Sequence, residues 1–295
     1  MPSTQEFRKR IRSVNSTRQI TRAMEMVASV KMQKSVASIL RARSYIQTAW
    51  NLLELLKSKK DQNFTHPFLR TRPVGKTAVV LISSDRGLCG SFNGDVLKKT
   101  IHYLSDQPKK EFDIVAVGKF SSNIARKLEL NVVAEFAGFE NDIEYSDTTP
   151  ISRLVMDEYL AKTYGKIILI YSHFVSSLNQ VPVVKQLLPI EPTHIDNPEI
   201  WEEKSSEFWE VEYVFEPNLN KLADQILPQL LRMQIFGAVL ESNASEHSAR
   251  MLAMKNATDN AKDLIDDLTL TYNTIRQDNI TREIAEICAG AEAMK

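Results

Sequence analysis

From Ala238 to Ala289 the chain contains neither glycine nor proline, and the run is held between Gly237 and Gly290. An unbroken helix over that span is about 75–80 Å long at 1.5 Å rise per residue. A compact domain built from a chain of this length has no core long enough to bury such a rod. Its apolar residues nevertheless recur at helical spacing: Leu264, Leu268, Tyr272 and Ile275, then Ile280, Ile284 and Ile287. Upstream, Ala249, Ala253, Ala257 and Ala261 stand one helical step of four apart, a shallow face that lets a second helix approach closely. The rod therefore needs a companion.

The other end of the chain supplies one. Ser3 to His66 again lacks glycine and proline. Phe7, Ile11 and Val14 begin a stripe, and Ile20, Met24 and Val27 continue it. Ile39, Ala42, Ile46, Trp50, Leu53 and Leu56 complete it in steps of three and four, the spacing of a heptad seam. Residues 1–60 carry 13 Lys+Arg against 3 Asp+Glu, whereas residues 201–295 carry 9 against 17. Two rods of opposite charge, each with one apolar stripe, are best satisfied by lying on each other. The competing reading is two independent surface helices on a globular body, and the length of the second rod disfavours it.

Composition narrows the function. The formal net charge is zero, so no global basic field favours nucleic acid, and the basic first rod is only a local patch. No apolar run approaches the roughly 20 residues of a membrane span, so direct membrane insertion is not expected. The first residues lack the apolar core of a secretory signal, and a cleaved presequence is not expected either. Cys89 and Cys288 lie far apart without a CxxC pattern, which reads as two reduced thiols.

Between the rods, punctuation returns. Pro67 and Pro73 end the first helix. Thr77–Ser83, Phe112–Val117, Val132–Phe136 and Lys166–Tyr171 read as strands, with Val181–Leu188 a further candidate. Helical patterns follow the glycine-spaced turn Ser84–Gly94 through about Tyr103, and span Phe120–Leu128 and Ser152–Tyr164. Glu207–Glu216 alternates cleanly and suits a half-exposed antiparallel edge. Pro228 is expected to kink the second rod or mark its first turn. The fold class is α/β: a Rossmann-like, mostly parallel body inserted between long terminal helices that form an antiparallel coiled coil. The divisions are residues 1–66, 67–216 and 217–295.

A catalytic centre is hard to assemble from this sequence. Gly75-Lys76-Thr77 resembles the end of a phosphate-binding loop, but the first glycine of that motif is replaced by Arg70. The turn after the first strand lacks the G-x-G-x-x-G spacing, so Gly87 and Gly90 are assigned to tight turning. Cys89 has no histidine nearby in sequence to activate it. The five histidines make no H-x-x-x-H pair, and no G-x-S-x-G elbow occurs. No cofactor, metal or catalytic residue is assigned.

Four blocks do resemble a known family. Ile11–Ser35 (IRSVNSTRQITRAMEMVASVKMQKS), Ser83–Asn93 (SSDRGLCGSFN), Ser245–Ala261 (SEHSARMLAMKNATDNA) and Leu268–Ala289 (LTLTYNTIRQDNITREIAEICA) are similar to gamma subunits of F-type ATP synthases, bacterial type. The cysteine-bearing insertion of chloroplast members is missing, so thiol control of that kind is not implied. The resemblance implies a non-catalytic rotor shaft standing in the ring of alpha and beta subunits. Its foot would meet the epsilon subunit and the c-ring, on the cytoplasmic face of a bacterial plasma membrane. By motif, Arg250, Gln277 and Thr281 correspond to contacts with the catch loops of beta, and Met24 to its lower lever region. Ile284, Ile287 and the tail to Lys295 correspond to residues of an apolar apical sleeve.

Two other classes remain: an α/β enzyme with a helical dimerisation arm, its site at Asp85–Gly94, and a coiled-coil tether. The shaft reading predicts that the isolated chain neither binds nor hydrolyses ATP. Titration calorimetry should show no stoichiometric nucleotide binding; a tight one-to-one isotherm is the result that favours the enzyme.

Overall fold

The computed structural model describes residues 4–58, 66–72, 75–107, 111–140, 143–190 and 219–294, with side chains described except at 43–47, 49–58, 219–220 and 293. The expected strand Glu207–Glu216 and the stripe positions Ile46, Trp50, Leu53 and Leu56 lie outside the described residues or side chains. The chain forms two compact units, residues 1–28 with 250–295, and residues 29–249. Two helices, α1 (Thr4–Ser58) and α5 (Leu219–Ala293), contribute to both.

The second unit is an open sheet. Its strands are β1 (Lys76–Ile82), β2 (Phe112–Val117), β3 (Asn131–Phe136), β4 (Tyr164–Phe174) and β5 (Gln180–Leu188), in the order β3-β2-β1-β4-β5. The first four are parallel neighbours, and β5 runs antiparallel to β4 at the edge. Between them lie α2 (Phe92–Ser105), α3 (Lys119–Lys127) and α4 (Thr149–Leu160). Strand alternation sorts the two faces. Val79, Leu81, Ile114, Ala116, Ile168 and Ile170 pack with Val96 of α2 and Ile124 and Ala125 of α3. Ala78, Val80, Val115, Ile167 and Leu169 face α4 and the first part of α5, whose Ala223, Leu227, Leu230, Leu231 and Ile235 are all buried. Burying each such Leu or Ile contributes about 1.5–3 kcal/mol. Because both faces are covered, these strands read as continuous apolar runs rather than alternating ones.

The turns are set by a few backbone positions. Gly118 caps α3 at φ +91°, and a Cβ there would stand 2.2 Å from the Ser83 carbonyl oxygen. Gly90 has positive φ, a conformation that favours glycine, whereas a Cβ on Gly87 would meet nothing within 4 Å, so of the two expected turn glycines only Gly90 has a backbone reason for its identity. Lys162 at φ 66° reverses the chain after α4, which therefore spans Thr149–Leu160 rather than the expected Ser152–Tyr164. Pro228 marks no first turn: α5 begins at Leu219 and continues through it. Its missing N–H leaves the Asp224 carbonyl without a helical partner.

In the first unit the buried stripes follow most of the expected positions and depart from them at Ile20, Val27 and Leu264. On α1, Phe7, Thr21 and Ala28 are buried, and Ile11, Val14, Arg18 and Glu25 are half-buried between them. Ile20 and Val27, expected in the stripe, are 60% and 56% exposed. On α5, Met254 and Ala261 are buried, with Thr258, Ile265, Leu268, Tyr272 and Ile275 half-buried; Leu264 faces outward. Both sets alternate steps of four and three, the seven-residue repeat of a left-handed coiled coil. Small residues at the contact allow close approach, and the bulkier neighbour one position away is turned out.

The segment leading out of α1 is latched to α5. His66 Nδ1 accepts from the Phe68 N–H at 3.1 Å, so Nε2 carries the proton and faces Asp224 Oδ1 at 3.3 Å. Burial pushes the His66 imidazole below its ordinary value, with Asp224 opposing the shift. A folded value below the unfolded one means stability is complete above about pH 6.5 and falls as pH drops through the folded value. In urea titrations, His66→Asn, which keeps an acceptor for Phe68, should lose less stability than the parent chain between pH 7 and pH 5. An identical loss in the two proteins is the contrary result.

Candidate functional site

Open sheets of this kind bind ligands beyond the carboxyl ends of their strands, where the winding changes direction. Here that point lies between β1 and β4, and the chain fills it with its own helix. Ile82, Ser83 and Asp85 face Val239, Ser242, Asn243 and Glu246 of α5 across a cleft of roughly water-molecule size. Asp85 is engaged by backbone: its Oδ1 accepts from Lys119 N–H at 3.0 Å and its Oδ2 from Gly138 N–H at 2.7 Å. The Asp85–Gly94 turn is built inward. Cys89 is buried, and its sulfur accepts from Asn93 Nδ2 at 3.3 Å, which also donates to Ser84 Oγ at 2.7 Å. A buried, hydrogen-bonded thiol holds the turn rather than attacking a substrate.

The other candidate motifs are likewise structural. Gly75 lies against the backbone of Gly165, where an added Cβ would be 2.9 Å from the Gly165 nitrogen. Lys76 opens β1 and pairs with Glu111 at 3.2 Å, so Gly75-Lys76-Thr77 enters a strand instead of wrapping a phosphate. Among the described residues no group of three or more His, Cys, Asp or Glu is placed to hold a metal ion. No helix there is long and apolar enough to cross a membrane.

The distinctive surface belongs to the paired helices. Thr258 Oγ1 donates to Thr21 Oγ1 at 2.8 Å, and the Arg8 guanidinium stands 6.0 Å from the Tyr272 ring centroid. Thirteen residues back along α1, from 21 to 8, match fourteen forward along α5, from 258 to 272, so the pairing is antiparallel and in continuous register. Extended to Thr4, that register ends near Ile275. From Arg276 to Glu292 every side chain of α5 is exposed. Ile280, Ile284 and Ile287, at 48%, 56% and 71% exposure, line this unaccompanied tip. Further down, Ile20, Met26, Val27 and Leu270 also face outward. A coiled coil that shows apolar side chains on its outside is shaped for an enclosing partner.

A family model described as ATP synthase matches residues 3–294. An ATP synthase gamma chain of Pelotomaculum thermopropionicum is 39% identical over the whole of both chains. One of Roseiflexus sp. is 39% identical over 100% of this chain and 99% of its own. The chain belongs to the ATP synthase gamma chain family. Among solved structures, the fold is similar to a chain of the Tetrahymena thermophila mitochondrial ATP synthase central stalk and c-ring, with TM-score 0.59, 24% identity, and coverage of 81% of this chain and 99% of that one. A chain in the Euglena gracilis mitochondrial OSCP/F1/c-ring structure has TM-score 0.65 and 18% identity, covering 99% and 94%. The coiled coil joined to a Rossmann-like body is thus the gamma chain architecture.

Within that architecture the expected contact residues fall into two groups. Met24 and Arg250 are half-buried. Gln277 and Thr281 are exposed four residues apart on one face of the solitary tip, which Ile284 extends by three. Along α5, Arg250 and Gln277 are about 40 Å apart. Sequence reasoning assigned no packing role to Ser242–Ser248, a stretch polar except for Ala244 that is nevertheless buried; its signal was two helical turns without a large apolar residue.

The register makes a direct test. Thr21→Cys with Thr258→Cys should form a disulfide under mild oxidation, seen as a mobility shift on a non-reducing gel. Pairing Ile20→Cys with Leu264→Cys, two outward positions, should not; the reverse pattern would contradict the register.

Proposed function

We propose that this chain is the central rotor shaft of a proton-driven ATP synthase, coupling rotation of the membrane c-ring to ATP synthesis on the alpha/beta ring. Family membership supports the assignment, and one structural observation carries the mechanism: the shaft is lopsided. Arg8, Arg10, Arg12 and Arg22 lie exposed on α1, whereas Asp259, Asp263, Asp266 and Asp267 lie exposed on α5. A round, uniform axle would interact equally with three identical catalytic subunits and shift no population among their states. An unlike pair of helices presents each subunit with a different face, so one turn takes each subunit through the same series of environments.

The parts divide accordingly. The division into 1–66, 67–216 and 217–295 assigns the long terminal helices to the shaft and the stretch between them to the foot, on whose sheet the first part of α5 is packed. The foot docks with the epsilon subunit and the c-ring, peripheral on the cytoplasmic face of the plasma membrane. Met24, Arg250, Gln277 and Thr281 contact beta; hydrogen bonds involving the charged Arg250 contribute about 1.5–3 kcal/mol where partly buried. Ile284 and Ile287 sit in the apolar sleeve at the top, which accounts for a tip that buries nothing against its own chain. Catalysis belongs to beta, and the shaft needs no cofactor.

The reading demands stiffness. Ala257→Pro with Leu268→Pro, each proline costing about 3 kcal/mol or more of helix, should abolish proton-driven ATP synthesis in reconstituted vesicles. Normal coupled synthesis by the double variant would refute the shaft. Capture of the chain from its source membranes should also bring down nucleotide hydrolysis. A tether would arrive without that activity.

A further inference from the structure

We infer that Glu241–Ser248 of α5 is a keyed seat that locks the helix, in rotation and in slide, to the α/β body. This rests on the shaft reading and names the joint through which the body drives the helix. Ser242, Asn243, Ala244, Ser245, Glu246, His247 and Ser248 are all buried, none more than 5% exposed. Alanine is the sole apolar residue among them.

The side chains grip backbone on two sides. On one, Ser245 Oγ donates to the Ser172 carbonyl at 3.1 Å and Ser248 Oγ to the Ser177 carbonyl at 2.5 Å. Glu241 Oε2 meets His173 Nδ1 at 2.6 Å, and Gln180 Nε2 donates to Ser248 Oγ at 3.3 Å. These partners belong to the end of β4, the turn after it and the start of β5. On the other side, Asn243 Nδ2 donates to the Phe139 carbonyl at 2.8 Å and His247 Nε2 to the Glu140 carbonyl at 3.3 Å. That loop is itself braced: Gly138 N–H donates to Asp85, and the Glu140 carboxylate pairs with Arg86 at 2.9 Å. Lys31 Nζ of α1 donates to the same Glu140 carbonyl at 3.3 Å, so one loop holds both long helices.

The spacing explains the two grips. At 100° per residue, positions 241, 245 and 248 fall within about 60° of one another, and 243 and 247 within about 40°, the two groups being roughly 150° apart. Apolar burial is non-directional and tolerates slip. Hydrogen bonds are angular: the observed seating leaves Asn243 Oδ1 and His173 Nε2 unpaired among the described residues, and a rotated or shifted one adds the groups now bonded to Ser172, Ser177, Phe139 and Glu140. A shaft packed here only by leucines would be held as firmly against unfolding but less firmly against turning.

The test uses the assembled ATP synthase with its catalytic ring immobilised and a rotation probe on the c-ring. Two double variants remove one grip each: Ser245→Ala with Ser248→Ala, and Asn243→Ala with His247→Ala. Each should broaden the angular fluctuation at a catalytic dwell by about twofold or more, with ATP hydrolysis by the unloaded ring unchanged. His247→Gln, whose amide nitrogen stands near the position of Nε2, should restore the parental width. Val79→Ala, which weakens the sheet core away from the seat, should leave the width unchanged. Parental width in both double variants overturns the inference, as does equal broadening by Val79→Ala. If neither double variant assembles, Ser248→Ala alone decides by the same measurement. A parental complex that does not rotate overturns the shaft reading itself, and the inference with it.

Discussion

The rest of the structure depends on two seven-residue repeats, one at each end of the chain, meeting in antiparallel register. Thr21 against Thr258 and Arg8 near Tyr272 fix that register. Small residues, Ala28 on one helix and Ala261 on the other, are buried in the seam. The register has a consequence for the outside: Ile20, Val27 and Leu264, each one position from the seam, are turned away from it. The same pairing that holds the helices together therefore creates the apolar exterior that calls for an enclosing partner. Among the described residues, α5 goes on past the point where its register reaches Thr4, and its side chains from Arg276 to Glu292 are exposed.

Helix α5 passes through four environments along one continuous backbone. It is apolar toward the sheet from Ala223 to Val239, and polar yet buried from Ser242 to Ser248. It is a heptad partner from Met254 to Ile275, and exposed from Arg276 onward. The first two segments also bring α5 against the carboxyl ends of the strands, where folds of this kind commonly bind ligands. Val239, Ser242, Asn243 and Glu246 line one side of the small cleft there, opposite Ile82, Ser83 and Asp85. A ligand pocket and a firm seat for a shaft compete for the same edge of the sheet, and this chain uses the edge for the seat.

Much of the body was legible from local pattern. Phe112–Val117 is the strand its apolar run predicts, and Lys76–Ile82, Asn131–Phe136 and Gln180–Leu188 differ from expectation by a residue or so at an end. Strands buried on both faces announce themselves by continuity. The end of α4 was misplaced because its stop is Lys162 in a left-handed conformation, a residue type that carries no such signal. At three positions the seam lies one residue from the expected one: hydrophobicity favours Ile20 over Thr21 and Val27 over Ala28, whereas Leu264 and Ile265 are equally apolar and only the facing helix decides between them.

By itself the sequence determined that two long helices exist, that they carry opposite charge and complementary seven-residue repeats, and that an α/β body separates them. Its terminal motifs also determined the family, since those blocks are specific enough to survive without coordinates. These properties are local: spacing, composition and the absence of helix breakers are read along the chain. Only the tertiary structure decided which side chains meet. That Thr21 finds Thr258, that Asn243 and His247 reach the carbonyls of Phe139 and Glu140, and that α5 closes the sheet's crevice all join residues about a hundred or more positions apart. A polar residue in a helix carries no mark of the carbonyl it will find, because that partner is set by how distant segments pack, not by its neighbours in sequence.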